Sequence, residues 1–111
     1  MSDPASIRRQ LKIKSGVATR MAKEHNLYRK EAEDQKLKLD KFVAEGAEDW
    51  DIGNATRMLE ESHRMITDSS TRLGKAVGDL RDLIVSARKN TALEGDEELL
   101  KAEEALEKAS V

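Results

Sequence analysis

His25 and His63 are the side chains best suited by type to proton transfer or metal binding in this 111-residue chain. A general base needs a partner that orients it, and a metal in a helical protein needs several donors converging from facing helices. Neither arrangement can be built here. His25 falls on an apolar stripe and His63 at the edge of another, while the carboxylates near them fall on the solvent side of the register. No pair of Glu-x-x-His motifs joins the two histidines on one face. A lone histidine on such a face is more often a packed, hydrogen-bonded residue than a ligand. The chain has no cysteine, which excludes disulfides and thiolate metal sites. It also lacks a glycine-rich phosphate loop, a nucleophile elbow and an H-E-x-x-H motif. No catalytic residue, cofactor site or metal ligand is expected, and the chain does not read as an enzyme.

Charge carries more information. Charged residues make up 38% of the chain and aromatic residues 3%, a balance suited to long solvated helices rather than to a sandwich, a barrel or a nucleotide-binding sheet. The net charge of −2 conceals a gradient. Residues 1–44 hold 11 Lys+Arg against 6 Asp+Glu, whereas residues 91–111 hold 2 against 7. The simplest account is that the basic segment and the acidic tail attract each other inside the folded protein; the other is that the basic segment meets an acidic partner. Nucleic acid is a poor candidate, because the cations of the first 44 residues are interleaved with Glu24, Glu31, Glu33, Asp34 and Asp40. No apolar run approaches the roughly 18–20 residues that span a bilayer, and no signal-peptide core follows the start. These features are those of a cytoplasmic protein without membrane or nucleic-acid partners.

The elements that carry these residues are helices. Ile7, Leu11, Ala18, Met21, Tyr28, Ala32, Leu39 and Phe42 keep one seven-residue stripe, with Lys14, His25 and Gln35 as its polar members. A 3.5-residue period kept over about five heptads specifies helices in left-handed, coiled-coil-like packing. Helix 1 is predicted over about 4–44, with Asp3 as cap and Pro4 in the first helical position. Residues 45–51 form the first connection, and Asp51 is the expected cap of helix 2, over about 52–90. Ile52, Leu59, Ile66, Leu73, Leu80 and Ala87 repeat in sevens along it. The second layer of that stripe is ambiguous: Ala55 or Thr56, Ser62 or His63, Ser69 or Ser70, Ala76 or Val77, Leu83 or Ile84. Thr67–Thr71 are weak helix formers, so helix 2 should be weakened near Thr67 and held by packing. Gly74 and Gly78 face outward by phase. Asn90 to Gly95 is the second connection, Asp96 the cap, and helix 3 covers about 96–109 with Leu99, Ala102 (or Glu103), Leu106 and Ala109 inward. Short connections force neighbouring helices antiparallel. The expected fold is therefore all-α, one antiparallel three-helix bundle domain with two long helices and one short, in which part of the long pair shares its core between two helices only.

With that register, Ile13 and Leu27 lie outermost on helix 1, 14 residues apart and about 21 Å along the axis. Basic residues surround both. Apolar anchors within basic surroundings suit an acidic, partly hydrophobic partner.

The same residues resemble a known family. Arg9-Gln10-Leu11-Lys12-Ile13-Lys14-Ser15-Gly16-Val17, followed by Arg20, Lys23-Glu24 and Tyr28-x-x-Glu31-Ala32, is similar to the opening helix of the tubulin-binding cofactor A (tubulin-specific chaperone A) family. Trp50-Asp51-Ile52 resembles its loop signature, which usually begins with tyrosine, so Trp50 is expected to anchor the loop. Leu59-Glu60-Glu61-Ser62-His63-Arg64-Met65-Ile66 resembles its second-helix signature. The resemblance covers roughly residues 3–85. Thr67 departs from it, standing where members often carry a proline that bends the helix.

The resemblance implies a three-helix tubulin-folding cofactor that holds β-tubulin monomers after their release from the cytosolic chaperonin. It would then pass them, with other tubulin-folding cofactors, towards αβ-heterodimer assembly, without nucleotide hydrolysis. It implies a cytoplasmic, cytoskeleton-associated protein, monomeric or homodimeric, with no cofactor. Contact would be made by outward residues of helix 1 (Lys12, Ile13, Arg20, Lys23, Leu27) and of the second-helix signature (Glu60, Glu61, Arg64, Met65). The competing reading is a coiled-coil or spectrin-like structural module with no tubulin preference.

Overall fold

The computed structural model describes residues 3–110, and every regular element among them is helical. Helix α1 spans Pro4–Ala44, α2 spans Asp49–Arg88, a short 3-10 turn covers Thr91–Leu93, and α3 spans Glu97–Ala109. Two long helices packed antiparallel and one short one make up the fold.

The helix ends follow from local chemistry. Asp3 caps α1, its carboxylate accepting the Ser6 N–H at 2.8 Å, and Pro4 occupies the first helical position, where a missing N–H costs nothing. Gly46, at φ +66°, closes the other end. The Ala47 N–H donates to the Phe42 carbonyl at 2.9 Å and the Gly46 N–H to Val43 at 3.2 Å, the paired bonds of a left-handed glycine cap. Once that turn is complete, α2 begins at Asp49 and not after Asp51. Asp51 is thus inside the first turn instead of capping it, where both aspartates still favour the positive end of the helix dipole. Trp50 is 70% exposed in the same turn, more than the loop anchor expected from the signature would be.

Helix α2 ends at Arg88, two residues early, because Lys89 and Asn90 donate to the Ser86 and Ala87 carbonyls in 3-10 fashion. Asp96 caps α3 as expected, accepting from the Glu98 and Leu99 N–H groups at 3.0 and 3.4 Å. The weak stretch in α2 remains helical throughout. Thr67, Ser69 and Thr71 turn their hydroxyls back onto the carbonyls of His63, Ile66 and Thr67. Such back-bonding satisfies the polar group while weakening the helix slightly.

Two compact units can be distinguished along the chain. One comprises the segment up to Lys23 together with that from Arg72 onward; the other is Glu24–Thr71. The first unit contains three helical segments and a continuous apolar core. Leu11, Ala18, Ala76, Val77, Leu80, Ile84, Ala87, Leu93, Leu99, Ala102 and Ala109 are buried together. The second unit contains two helical segments, and its buried residues are all small: Ala32, Ala55, Ser62 and Ser69. Two helices can enclose only the narrow line directly between them. The large stripe residues Tyr28, Leu39, Phe42, Ile52, Leu59 and Ile66 are consequently only half-buried.

Candidate partner-binding surfaces

In the second unit His25, one of the two polar members of the stripe there, finds its partner across the helix pair. His25 Nδ1 lies 2.8 Å from Ser69 Oγ, which lies 3.0 Å from the Ile66 carbonyl. A hydroxyl has one proton; given to Ile66, it leaves Oγ to accept the Nδ1–H of the imidazole. His25 is therefore a packed, hydrogen-bonded residue. His63, on the exposed side of α2, has a different setting. With Arg29, Ala32, Glu33, Lys36, Leu59 and Ile66 it lines an open, mainly apolar groove of about 380 Å³. The groove exists because Leu59 and Ile66 are covered on one side only, and a volume of this order accommodates an apolar anchor side chain.

In the first unit, the α1 segment from Pro4 to Lys23 contains Arg8, Arg9, Lys12, Lys14, Arg20 and Lys23 and no acidic residue. The interleaving with acids read from helix 1 as a whole thus belongs to the second unit. Among the described residues, one ion pair joins the basic segment to the acidic tail. Arg8 Nε–H donates to Asp96 Oδ1 at 2.7 Å, and this bond, with the two capping N–H groups, holds the Asp96 carboxyl below the usual carboxylate range against the opposing effect of burial. The other paired acids of α3 are committed elsewhere: Glu97 to Lys101, Glu104 to Lys108 and Glu103 to Arg88.

The proposed contact residues separate between the units. Lys12, Ile13, Arg20 and Lys23 are exposed on α1 in the first unit, with Ile13 at 50%. Leu27, 59% exposed, lies on α1 in the second unit, as do Glu60, Glu61 and Arg64 on α2. Glu61 is engaged by Arg64 at 3.0 Å. Met65 is half-buried, not outward, because it borders the helix seam. Sequence reasoning missed Leu93, fully buried although it lies in a connection, and missed the groove residues Arg29, Glu33 and Lys36. Leu93 had no periodic neighbour to reveal it. The groove had a signal, the excess of large residues over what two helices can bury.

Among the described residues no three His, Asp or Glu side chains come together as a metal site, and no helix is long and apolar enough to cross a membrane. Long helical faces, an open apolar groove and an unneutralised basic strip define a helical protein-binding module. The chain belongs to the tubulin binding cofactor A family, whose model matches residues 6–106. It is 41% identical to tubulin-specific chaperone A of Gallus gallus, over the whole of this chain and 93% of that protein. The structure of human tubulin chaperone cofactor A matches with a TM-score of 0.79 and 37% identity, covering 95% of this chain and 99% of that one. Tubulin folding cofactor A from Arabidopsis thaliana matches with a TM-score of 0.83 and 28% identity, over 96% and 97% of the two chains.

Proposed function

We propose that this chain holds β-tubulin monomers after chaperonin release and passes them on for αβ-heterodimer assembly, in the cytoplasm and in association with the cytoskeleton. Family membership makes it a tubulin-folding chaperone, not an enzyme, and the relatives it matches are named for that role. The observation that carries the reading is the second unit. It buries only alanines and serines, leaving large apolar side chains half-covered along both helices and a groove between them. A folding intermediate that still exposes apolar surface would be met by such faces without nucleotide or lid. Leu27 and Met65 would supply apolar contact in that unit, with Glu60, Glu61 and Arg64 as its charged rim; Lys12, Ile13, Arg20 and Lys23 would act from the first unit. The charges would govern encounter rate and salt sensitivity more than affinity. Hand-over would involve other tubulin-folding cofactors, the chain acting as monomer or homodimer.

Size-exclusion co-elution with free β-tubulin tests this, with intact αβ-tubulin and an unrelated helical bundle as controls. A stable complex with β-tubulin alone is expected. Absence of a shift at both low and moderate salt would overturn the reading.

A further inference from the structure

We propose that Arg9, Lys12, Ile13, Gly16, Arg20 and Lys23 form a docking strip for an acidic helix of the client, with Gly16 as the point of closest backbone approach. This rests on the β-tubulin reading above and specifies how one face would be used.

At about 100° per residue these six positions fall within an arc of about 100° on α1, opposite the core residues Leu11 and Ala18. All six are exposed. Among the described residues Arg9, Lys12, Arg20 and Lys23 enter no ion pair, and the segment from Pro4 to Lys23 offers no acid to receive one. Arg9 with Lys12, and Arg20 with Lys23, place like charges three residues apart, a spacing that destabilises a helix. Glu24, one turn from Arg20 and next to Lys23, is the nearest acid in the sequence to these two cations and enters no ion pair among the described residues, so an acidic partner would supply the counter-charge they lack.

Gly16 is the second, independent observation. It sits in mid-helix, where glycine is a poor helix former. Its backbone is not among those with positive φ, which are Gly46 and Gly95 only among the described glycines. A Cβ built on it meets nothing within 4 Å. Neither conformation nor internal packing calls for glycine at this position. What the missing side chain does provide is a notch in the strip, one turn from both Ile13 and Arg20, where another backbone can come close. Phosphates of a nucleic acid would use the cations but have no need of Ile13 or the notch, and a lipid surface would use the cations and Ile13 but has no need of the notch. An acidic helix with a small or apolar residue at the crossing uses all three.

The test is binding of purified β-tubulin by the full chain and by Gly16→Leu. Leucine is the better helix former and has open space, so Gly16→Leu should retain its circular dichroism and melt at a higher temperature. It should nevertheless bind β-tubulin about tenfold more weakly or worse, a combination that a purely structural role for Gly16 does not produce. Arg20→Glu with Lys23→Glu should also weaken binding and reduce its salt dependence. Wild-type binding matched by Gly16→Leu binding would overturn the strip while leaving the function intact. A wild-type chain that fails to bind β-tubulin would overturn both. Binding of a short RNA duplex or of phosphatidylserine vesicles, lost on Arg20→Glu with Lys23→Glu but unaffected by Gly16→Leu, would overturn the assignment to a protein helix.

Discussion

Arg8 and Asp96, 88 positions apart, are joined by a 2.7 Å bond from Nε–H to Oδ1, while the other carboxylate oxygen of Asp96 caps α3. One side chain thus sets where α3 begins and ties that beginning to α1. Asp96→Ala should lower the thermal midpoint more than Arg8→Ala, because it removes the cap and the ion pair together. Asp96→Asn, which keeps an acceptor for the cap but loses the charge, should fall between wild type and Asp96→Ala. Melts followed by circular dichroism check the order.

The same pair gives a pH dependence. The carboxyl of Asp96 titrates lower when folded than when unfolded, so its contribution is fully present above the ordinary carboxylate value. That contribution is lost as pH falls through the lowered value. The stability difference between wild type and Asp96→Asn should therefore be constant near neutrality and shrink under acid, as read from urea unfolding at a series of pH values.

Leu93 is fully buried among residues of both α2 and α3 although it lies in the link between them. Leu93→Ala should cost about 2–5 kcal/mol, the range for a deleted core leucine. Urea denaturation would measure it; a loss below about 1 kcal/mol would place Leu93 outside the core.

Gly74 and Gly78 sit in α2 with open space where a Cβ would lie. Replacing either with alanine should stabilise the protein by about 0.4–1 kcal/mol, chiefly by narrowing the unfolded ensemble. A stabilisation seen in the melt together with unchanged co-elution would confirm that neither glycine contacts the client.

Ile13→Glu with Leu27→Glu changes two exposed apolar residues without touching the core. Helicity and thermal midpoint should be nearly unchanged, and β-tubulin binding weakened. Equal binding by the double variant would remove the outer face of α1 from the interface.

The extent of α1 and the caps at Asp3 and Asp96 were legible in the sequence, because stripe phase and capping chemistry act over a few neighbouring residues. The ambiguous second layer of α2 was not. Ala55, Ser62 and Ser69 are buried in place of Thr56, His63 and Ser70. Both choices lie on the same side of a helix, and only the azimuth at which the facing helix arrives separates them. Asp51 was misjudged as a cap for a similar reason, since the glycine turn at Gly46 consumed fewer residues than the acidic stretch made available.

By itself, the sequence determined that this protein is helical and where its long helices run, since periodicity, capping and composition are local properties. Tertiary structure alone decided which stripe residues are enclosed. A third helix closes over Leu80 and its neighbour Ile84, whereas Leu59 and Ile66, on the same repeat as Leu80, lie between two helices and remain half-covered. The same apolar side chain is core where three helices meet and half-covered surface where only two do, because burial depends on how many neighbours arrive.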